Sequence, residues 1–307
     1  MNKFIGVFFY GNIFLGICAV LLCVETNLLI NISLNVFPFY LLIFFCTCMY
    51  YTMIYVRSVG TKNCNERTIW YRTNLIAIKK TLKIALFAVI AFLLFLVWKN
   101  IHTLLLLSPS QFLLIVLLPL MAAWYTFSPT VFRLKNIRQT GWIKPFVVGL
   151  TWSGWVTVYP ILISKVQTNQ PAISIISPYL LLWLQNFLFI TVVAIIFDVK
   201  DYRTDFSHHL KTFPVTLGIR KTFRFIIIPI TLLNLVVFFL FQAQEEFSSV
   251  QIVLQLIPYL LLILILAKHR QQKSLLYYLV AVDGLLFAKA LCGIVSIILL
   301  KNYKCLN

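Results

Sequence analysis

The run Leu180-Leu181-Leu182-Trp183-Leu184-Gln185-Asn186-Phe187-Leu188-Phe189-Ile190-Thr191-Val192-Val193-Ala194-Ile195-Ile196-Phe197 is apolar enough to cross a bilayer, and it ends on Asp198-Val199-Lys200-Asp201-Tyr202-Arg203-Thr204-Asp205. The rest of the chain repeats the apolar theme. Its 307 residues are 61% hydrophobic and only 11% charged, with a mean hydropathy of +0.94. A soluble domain of this size needs far more polar surface, so the composition predicts an all-α, polytopic membrane protein. A crossing helix needs about 20 apolar residues, and nine stretches qualify, at roughly 4–24, 36–56, 82–98, 109–128, 144–164, 174–197, 223–242, 250–267 and 275–300. No soluble domain is inserted and no repeat stands out, so residues 1–307 read as a single transmembrane domain. The start reads as an uncleaved first helix, because no small-residue cleavage site follows it.

The basic residues set the expected orientation. They crowd the connections after spans two, four, six and eight, with Arg57, Lys62, Arg67, Arg72, Lys79, Lys80 and Lys83 after span two alone. The other side holds only Lys99, Lys165, Lys301 and Lys304, with Glu25, Glu245 and Glu246. The even connections are therefore expected to be cytoplasmic, with the N-terminus inside and the C-terminus outside, as in a plasma or inner membrane. The net charge of +18 is mostly topology signal and attraction to anionic lipid heads. It is split among short loops, which excludes nucleic acid as the partner. The seven cysteines lack paired spacing and mostly fall in apolar runs, which excludes a disulfide framework and a zinc site.

Elsewhere the chain is strongly basic, yet three of its eight acidic residues gather at the end of span six. If the helix continues, Asp198, Asp201 and Asp205 share one face, while Lys200 and Arg203 point away. Two carboxylates about 6 Å apart repel by roughly 3 kcal/mol at an effective dielectric of about 20. The helix C-terminus disfavours them further. A hard divalent cation removes both penalties, and oxygen ligands on one face suit Mg²⁺. A solvated loop is the other reading of the same charges. Lys211, Arg220 and Lys221, with Lys135 and Arg138 from the previous basic loop, could neutralise a diphosphate held by such a cation. Within the spans, Gln185, Asn186, Trp152, Ser153, Trp155 and Tyr159 either line an internal cavity or join helices by hydrogen bonds and packing. Asp283 and Lys289 lie inside span nine. They are six residues apart and do not face each other, so each is expected to pair with another helix, unless Asp283 faces the polar mouth of a cavity. His102, His208, His209 and His269 lack metal-ligand spacing, though His208 and His209 could contact phosphate. The absence of a P-loop argues against an ATP-driven pump.

The run Asp198-x-x-Asp201-x-x-x-Asp205, followed by Lys211-Thr212-x-Pro214-Val215-x-Leu217-Gly218, resembles the second aspartate motif of the UbiA superfamily of intramembrane prenyltransferases in order and spacing. Tyr125-Thr126-Phe127-Ser128-Pro129 through Leu134-Lys135 is similar to the Y-S-x-x-x-L-K segment of that family. The resemblance implies a nine-helix bundle around a lipid-open cavity with a cytoplasmic cap. It implies Mg²⁺-assisted transfer of an isoprenoid chain from a prenyl diphosphate to an aromatic or other lipid acceptor. Carried over to this sequence, Asp201 and Asp205 are the catalytic metal ligands and Asp198 is a ligand or their supporting partner. Lys211 faces the diphosphate, and Gln185, Asn186, Trp152 and Tyr159 stay candidates for the cavity wall.

The chain departs from that pattern in one place. The family's first aspartate motif, N-x-x-x-D-x-x-x-D, falls on Thr52, Val56 and Gly60, counted back from Asn63-Cys64-Asn65-Glu66-Arg67, and no aspartate precedes Asp198. Arg57 and Lys62 lie near the vacant positions, where a fixed positive charge could replace a metal ion. Three readings stay open: an enzyme with one metal and a basic substitute, a related enzyme with other chemistry, and a non-catalytic carrier of isoprenoid or quinone-type lipids.

Overall fold

The computed structural model describes residues 5–60, 65–131, 141–169, 177–207, 209–268 and 274–304, except for the side chains of 58, 124–131, 177, 268 and 300–304. The chain is an all-α, multi-pass membrane protein. Among the described residues seven helices are long and apolar enough to cross a membrane: α2 (Phe37–Ser58), α4 (Leu75–Lys99), α6 (Lys144–Gln167), α7 (Ser177–Lys200), α10 (Ile219–Gln244), α11 (Ser249–Lys268) and α12 (Leu275–Leu299). Two further apolar helices, α1 (Ile13–Leu29) and α5 (Pro109–Val131), stand at the first and fourth expected spans. Short helices α3 (Glu66–Thr73), α8 (Tyr202–Ser207) and α9 (Phe213–Leu217) lie near the end at which α7 delivers its aspartates.

Local sequence fixes where many helices begin and stop. Ser108-x-x-Gln111 and Ser248-x-x-Gln251 are capping boxes, each Gln Oε1 accepting from the Ser backbone N–H at 2.9 Å. Asn65 caps α3, its side chain accepting from Thr68 N at 2.8 Å. Asn31, Asn169, His209 and Glu246 turn left-handed after α1, α6, α8 and α10.

The first helix is shifted from its expected position. Residues Gly6–Tyr10 form a separate π-helical turn, and the chain breaks at Asn12, whose φ is 62°. The break is held from outside the segment. Arg67 Nη2 and the Tyr71 hydroxyl donate to the Tyr10 carbonyl at 3.0 and 2.9 Å, and Arg67 also donates to Asn12 Oδ1 at 2.5 Å. Glu25, expected outside the membrane, therefore lies within α1.

Prolines interrupt two of the packed helices. Pro119 has no N–H for the Ile115 carbonyl, and the Tyr159 hydroxyl of α6 donates to that oxygen at 2.5 Å. Pro160 likewise leaves the Val156 carbonyl without its i+4 donor, next to the π-helical turn Gly154–Val158. Thr26 of α1 donates to it at 2.8 Å. In hydrocarbon an unanswered carbonyl is costly, so these bonds fix α1, α5 and α6 at one relative depth.

α1 packs against α2, α6 and α12, and so joins the start of the chain to its end. At that seam Lys289 Nζ lies 3.0 Å from both oxygens of Glu25, with side chains only 4% and 3% exposed. Gly293 makes the room: a Cβ there would come within 2.5 Å of Glu25 Oε1.

Two outcomes are expected in thermal unfolding of the detergent-solubilised protein. Tyr159→Phe should cost about 1–3 kcal/mol, because it leaves the Ile115 carbonyl unpaired. The same change made in a Pro119→Ala background should cost little, since residue 119 then supplies its own N–H. Glu25→Gln or Lys289→Met alone should each cost about 3–5 kcal/mol, and Glu25→Leu combined with Lys289→Met should recover most of the loss.

Candidate functional site

The aspartates of α7 stand where the helix gives way to α8. The Asp201 amide still donates to the Phe197 carbonyl at 3.1 Å, and the Asp205 amide to the Asp201 carbonyl at 2.9 Å, so helical spacing survives across the join. The three side chains nonetheless have different surroundings. Asp198 is wholly buried and Asp205 nearly so. Asp201 pairs with Lys200 at 3.1 Å, and its side chain is 42% exposed.

Lys144, one of the basic residues crowding the connection after span four, completes this group. It opens α6, and its Nζ lies 2.5 Å from Asp198 Oδ1. The other oxygen of that carboxylate, Asp198 Oδ2, is buried without a hydrogen-bond partner among the described residues; Asp205 Oδ2 also lacks one of good geometry, though the Thr212 hydroxyl is near enough to lower the Asp205 pKa. Burial lifts the Asp205 carboxyl to about 6; the like charges of Asp198 and Asp201 add to the rise, and the Lys144 ammonium opposes it. Among the described residues no group of three or more His, Cys, Asp and Glu side chains is placed to hold a metal ion. Carboxylate oxygens left without partners are the donor type that Mg²⁺ takes, one or two at a time, with water and phosphate completing its shell.

The neighbouring elements hold this end together. Gly141 lies so close to the Lys211–Thr212 peptide that a Cβ would come within 2.7 Å of the Lys211 carbonyl oxygen. Phe213 meets Phe146 edge-on, with ring centroids 6.2 Å apart. Tyr278 of α12 lies against Phe197, at 6.2 Å between centroids. Asp283 sits one helical turn further along α12, almost buried, within electrostatic reach of Arg67 and Lys200. A shallow depression of about 380 Å³ opens beside α8, lined by Tyr202, Leu217, Gly218, Ile219, Arg220 and Lys221. An apolar depression of about 430 Å³ lies between α11 and α12, with Tyr277, Leu261 and Gly284 in its walls.

At the positions matched to the first aspartate motif the structure places a different kind of cluster. Thr52 is buried and accepts from Asn12 Nδ2 at 3.0 Å. Asn12 also donates to the Tyr71 hydroxyl at 3.1 Å. The Arg67 guanidinium is buried over the Tyr55 ring, 3.7 Å from its centroid. Gly60 is exposed and meets nothing around it. Arg57 is exposed in the last turn of α2. The cation at these positions is thus Arg67, which the sequence marked only as part of the register segment.

Of the other expected site residues, Lys211 is exposed beside α9. Lys62, Lys135, Arg138 and His208 lie outside the described residues. The four residues expected to line a cavity are buried between helices and bonded across them. Trp152 Nε1 donates to the Tyr51 hydroxyl at 2.6 Å and Tyr159 to Ile115 O at 2.5 Å. Gln185 Nε2 donates to the Tyr259 hydroxyl at 3.1 Å and Asn186 Nδ2 to Thr157 Oγ1 at 2.8 Å. None of the four lines either depression. Lys289 pairs with another helix, as expected of it.

No protein-family model matches the chain, and no curated protein does. Solved structures do match it in fold. A UbiA homolog from Aeropyrum pernix K1 in its apo form has a TM-score of 0.63 at 16% identity, over 94% of this chain and 98% of that one. A UbiA homolog from Archaeoglobus fulgidus bound to GPP and Mg²⁺ gives 0.58 at 14% identity, over 95% and 99%. A UbiA homolog from Archaeoglobus fulgidus bound to DMAPP and Mg²⁺ gives 0.54 at 13% identity, over 93% and 99%. At these identities the likeness is one of fold.

The raised Asp205 carboxyl has a consequence for stability. Its proton is held more tightly in the folded chain than in the unfolded one, where an aspartate titrates near 3.9. Folding therefore loses stability as pH rises from about 4 to about 6 and stays at the lower level above that. In metal-free buffer Asp205→Asn should melt higher than the unchanged protein at pH 7, and the gap should shrink at pH 5. A gap of equal size at both values would contradict the assignment.

Proposed function

We propose that this protein is an intramembrane prenyltransferase that binds a prenyl diphosphate at the aspartate end of α7 with a single Mg²⁺. The observation that carries this reading is the pair of buried, unpartnered carboxylate oxygens, Asp198 Oδ2 and Asp205 Oδ2. They sit in a fold shared with a homolog bound to GPP and Mg²⁺. The aspartate end is placed on the cytoplasmic side, following the basic connections.

Asp198 and Asp205 would hold the ion, which when bound supplies the Lewis acidity that lets the diphosphate leave. Asp201, engaged with Lys200, supports the negative face without ligating. Lys211 and Arg57 would supply positive charge to the diphosphate, as the sequence also expects of Lys62, Lys135 and Arg138, and Arg67 would contribute a fixed positive charge where a first metal cluster would lie. The bond between the allylic carbon and the diphosphate oxygen breaks, and an aromatic or lipid acceptor attacks that carbon, losing a proton. Trp152, Tyr159, Gln185 and Asn186, bonded between helices, would act by holding the bundle that receives the isoprenoid chain.

One observation favours a second reading, that of a lipid carrier that binds without turnover. The hydrogen-bonded cluster of Asn12, Thr52 and Arg67 carries no carboxylate where the first aspartate motif would be.

A single experiment separates the two. Purified protein in detergent is given farnesyl or geranylgeranyl diphosphate with Mg²⁺, and released diphosphate is measured. Turnover should fall by about 100-fold or more in Asp198→Asn and Asp205→Asn, and by less in Asp201→Asn. Unchanged turnover in the first two variants sinks the enzymatic assignment to this site, and tight binding with no release favours the carrier.

A further inference from the structure

The Lys144–Asp198 pair joins partners of unequal freedom. The Asp198 side chain is 1% exposed and cannot leave, whereas that of Lys144 is 27% exposed on a flexible four-carbon stem. Lys144 stands at the first position of α6, with Pro145 behind it. A cation there opposes the helix dipole, so the position is locally unfavourable, and the carboxylate it faces offsets that cost. The same ammonium acts on Asp205 as an opposing charge. It satisfies one oxygen of Asp198 and leaves Asp198 Oδ2 and Asp205 Oδ2 without partners. The turn that delivers Lys144 is pressed at Gly141 against the Lys211–Thr212 peptide, so its backbone has a fixed seat while its side chain can swing.

We infer that Lys144 is the built-in counter-cation of this site and that a divalent ion takes its place when a diphosphate arrives. The inference rests on the reading of Asp198 and Asp205 as Mg²⁺ ligands. Without diphosphate, Mg²⁺ has to displace the ammonium from Asp198 and binds weakly. When diphosphate is present, the released ammonium pairs with a phosphate oxygen. Metal and diphosphate then favour each other's binding, each by the same factor. Lys144 is therefore a positioning residue with two opposite effects, against the metal alone and in favour of the anion.

The test uses the full chain in detergent, with melting temperature followed against Mg²⁺ alone and then against inorganic pyrophosphate at saturating Mg²⁺. Lys144→Met should lower the half-saturating Mg²⁺ concentration about tenfold and raise that for pyrophosphate about tenfold. Lys144→Arg should stay near the unchanged protein in both, and Lys144→Gln serves if the methionine variant does not fold. Equal Mg²⁺ binding by the unchanged protein and Lys144→Met, lost in Asp198→Asn, overturns the role of Lys144 and leaves the metal site standing. Should Mg²⁺ move the melting temperature of none of these proteins, the metal site itself falls and the role of Lys144 with it.

Discussion

Inside an apolar medium, a polar group released by one helix must be met by another. This protein is organised around that requirement. Pro119 and Pro160 each leave a carbonyl of their own helix unserved, and side chains from α6 and α1 donate to them. The two bonds form a chain from α1 through α6 to α5. They fix α6 along its own axis, and the start of α6 is where Lys144 meets Asp198. The geometry of the aspartate end is thus tied to proline positions well inside the bundle. Hydrogen bonds such as Trp152 to Tyr51 and Asn186 to Thr157 reinforce the same alignment.

The two ion pairs that reach deep into the protein have opposite character. Glu25 and Lys289 are both sealed, and their exchange with water or a ligand would require the seam between α1 and α12 to open. Lys144 keeps an open side, and its partner carboxylate keeps an unmatched oxygen. Burial on both sides makes a joint, and the one-sided burial at Asp198 is what the proposed exchange of cations rests on.

The long apolar stretches made most of the architecture legible, because a bilayer demands about 20 apolar residues per crossing. Span three lay within α4, and span six ended within a few residues of the end of α7. The helical spacing of the aspartates carries across the join at Asp201, but Lys200, expected to point away from them, pairs with Asp201, which is exposed while Asp198 is buried. The first span was misplaced because the break at Asn12 depends on Arg67, which lies 55 residues further on. Tyr159 drew notice as an aromatic, but its role follows from Pro119 and from knowing which helices touch. Lys144 carried one readable signal, a cation in the first turn of a helix, where the dipole disfavours it. Its partner lies 54 residues away, and no local pattern links the two.

The seam between the first and last helices also sets a schedule. Glu25 and Lys289 are separated by 264 positions along the chain. At about 5–20 residues per second, roughly 13–50 s pass between synthesis of the acid and synthesis of its base. Through that interval the nascent chain has a carboxyl in its first helix and no lysine to meet it. Until Lys289 is made, the Glu25 carboxylate lacks the base that meets it in the folded protein.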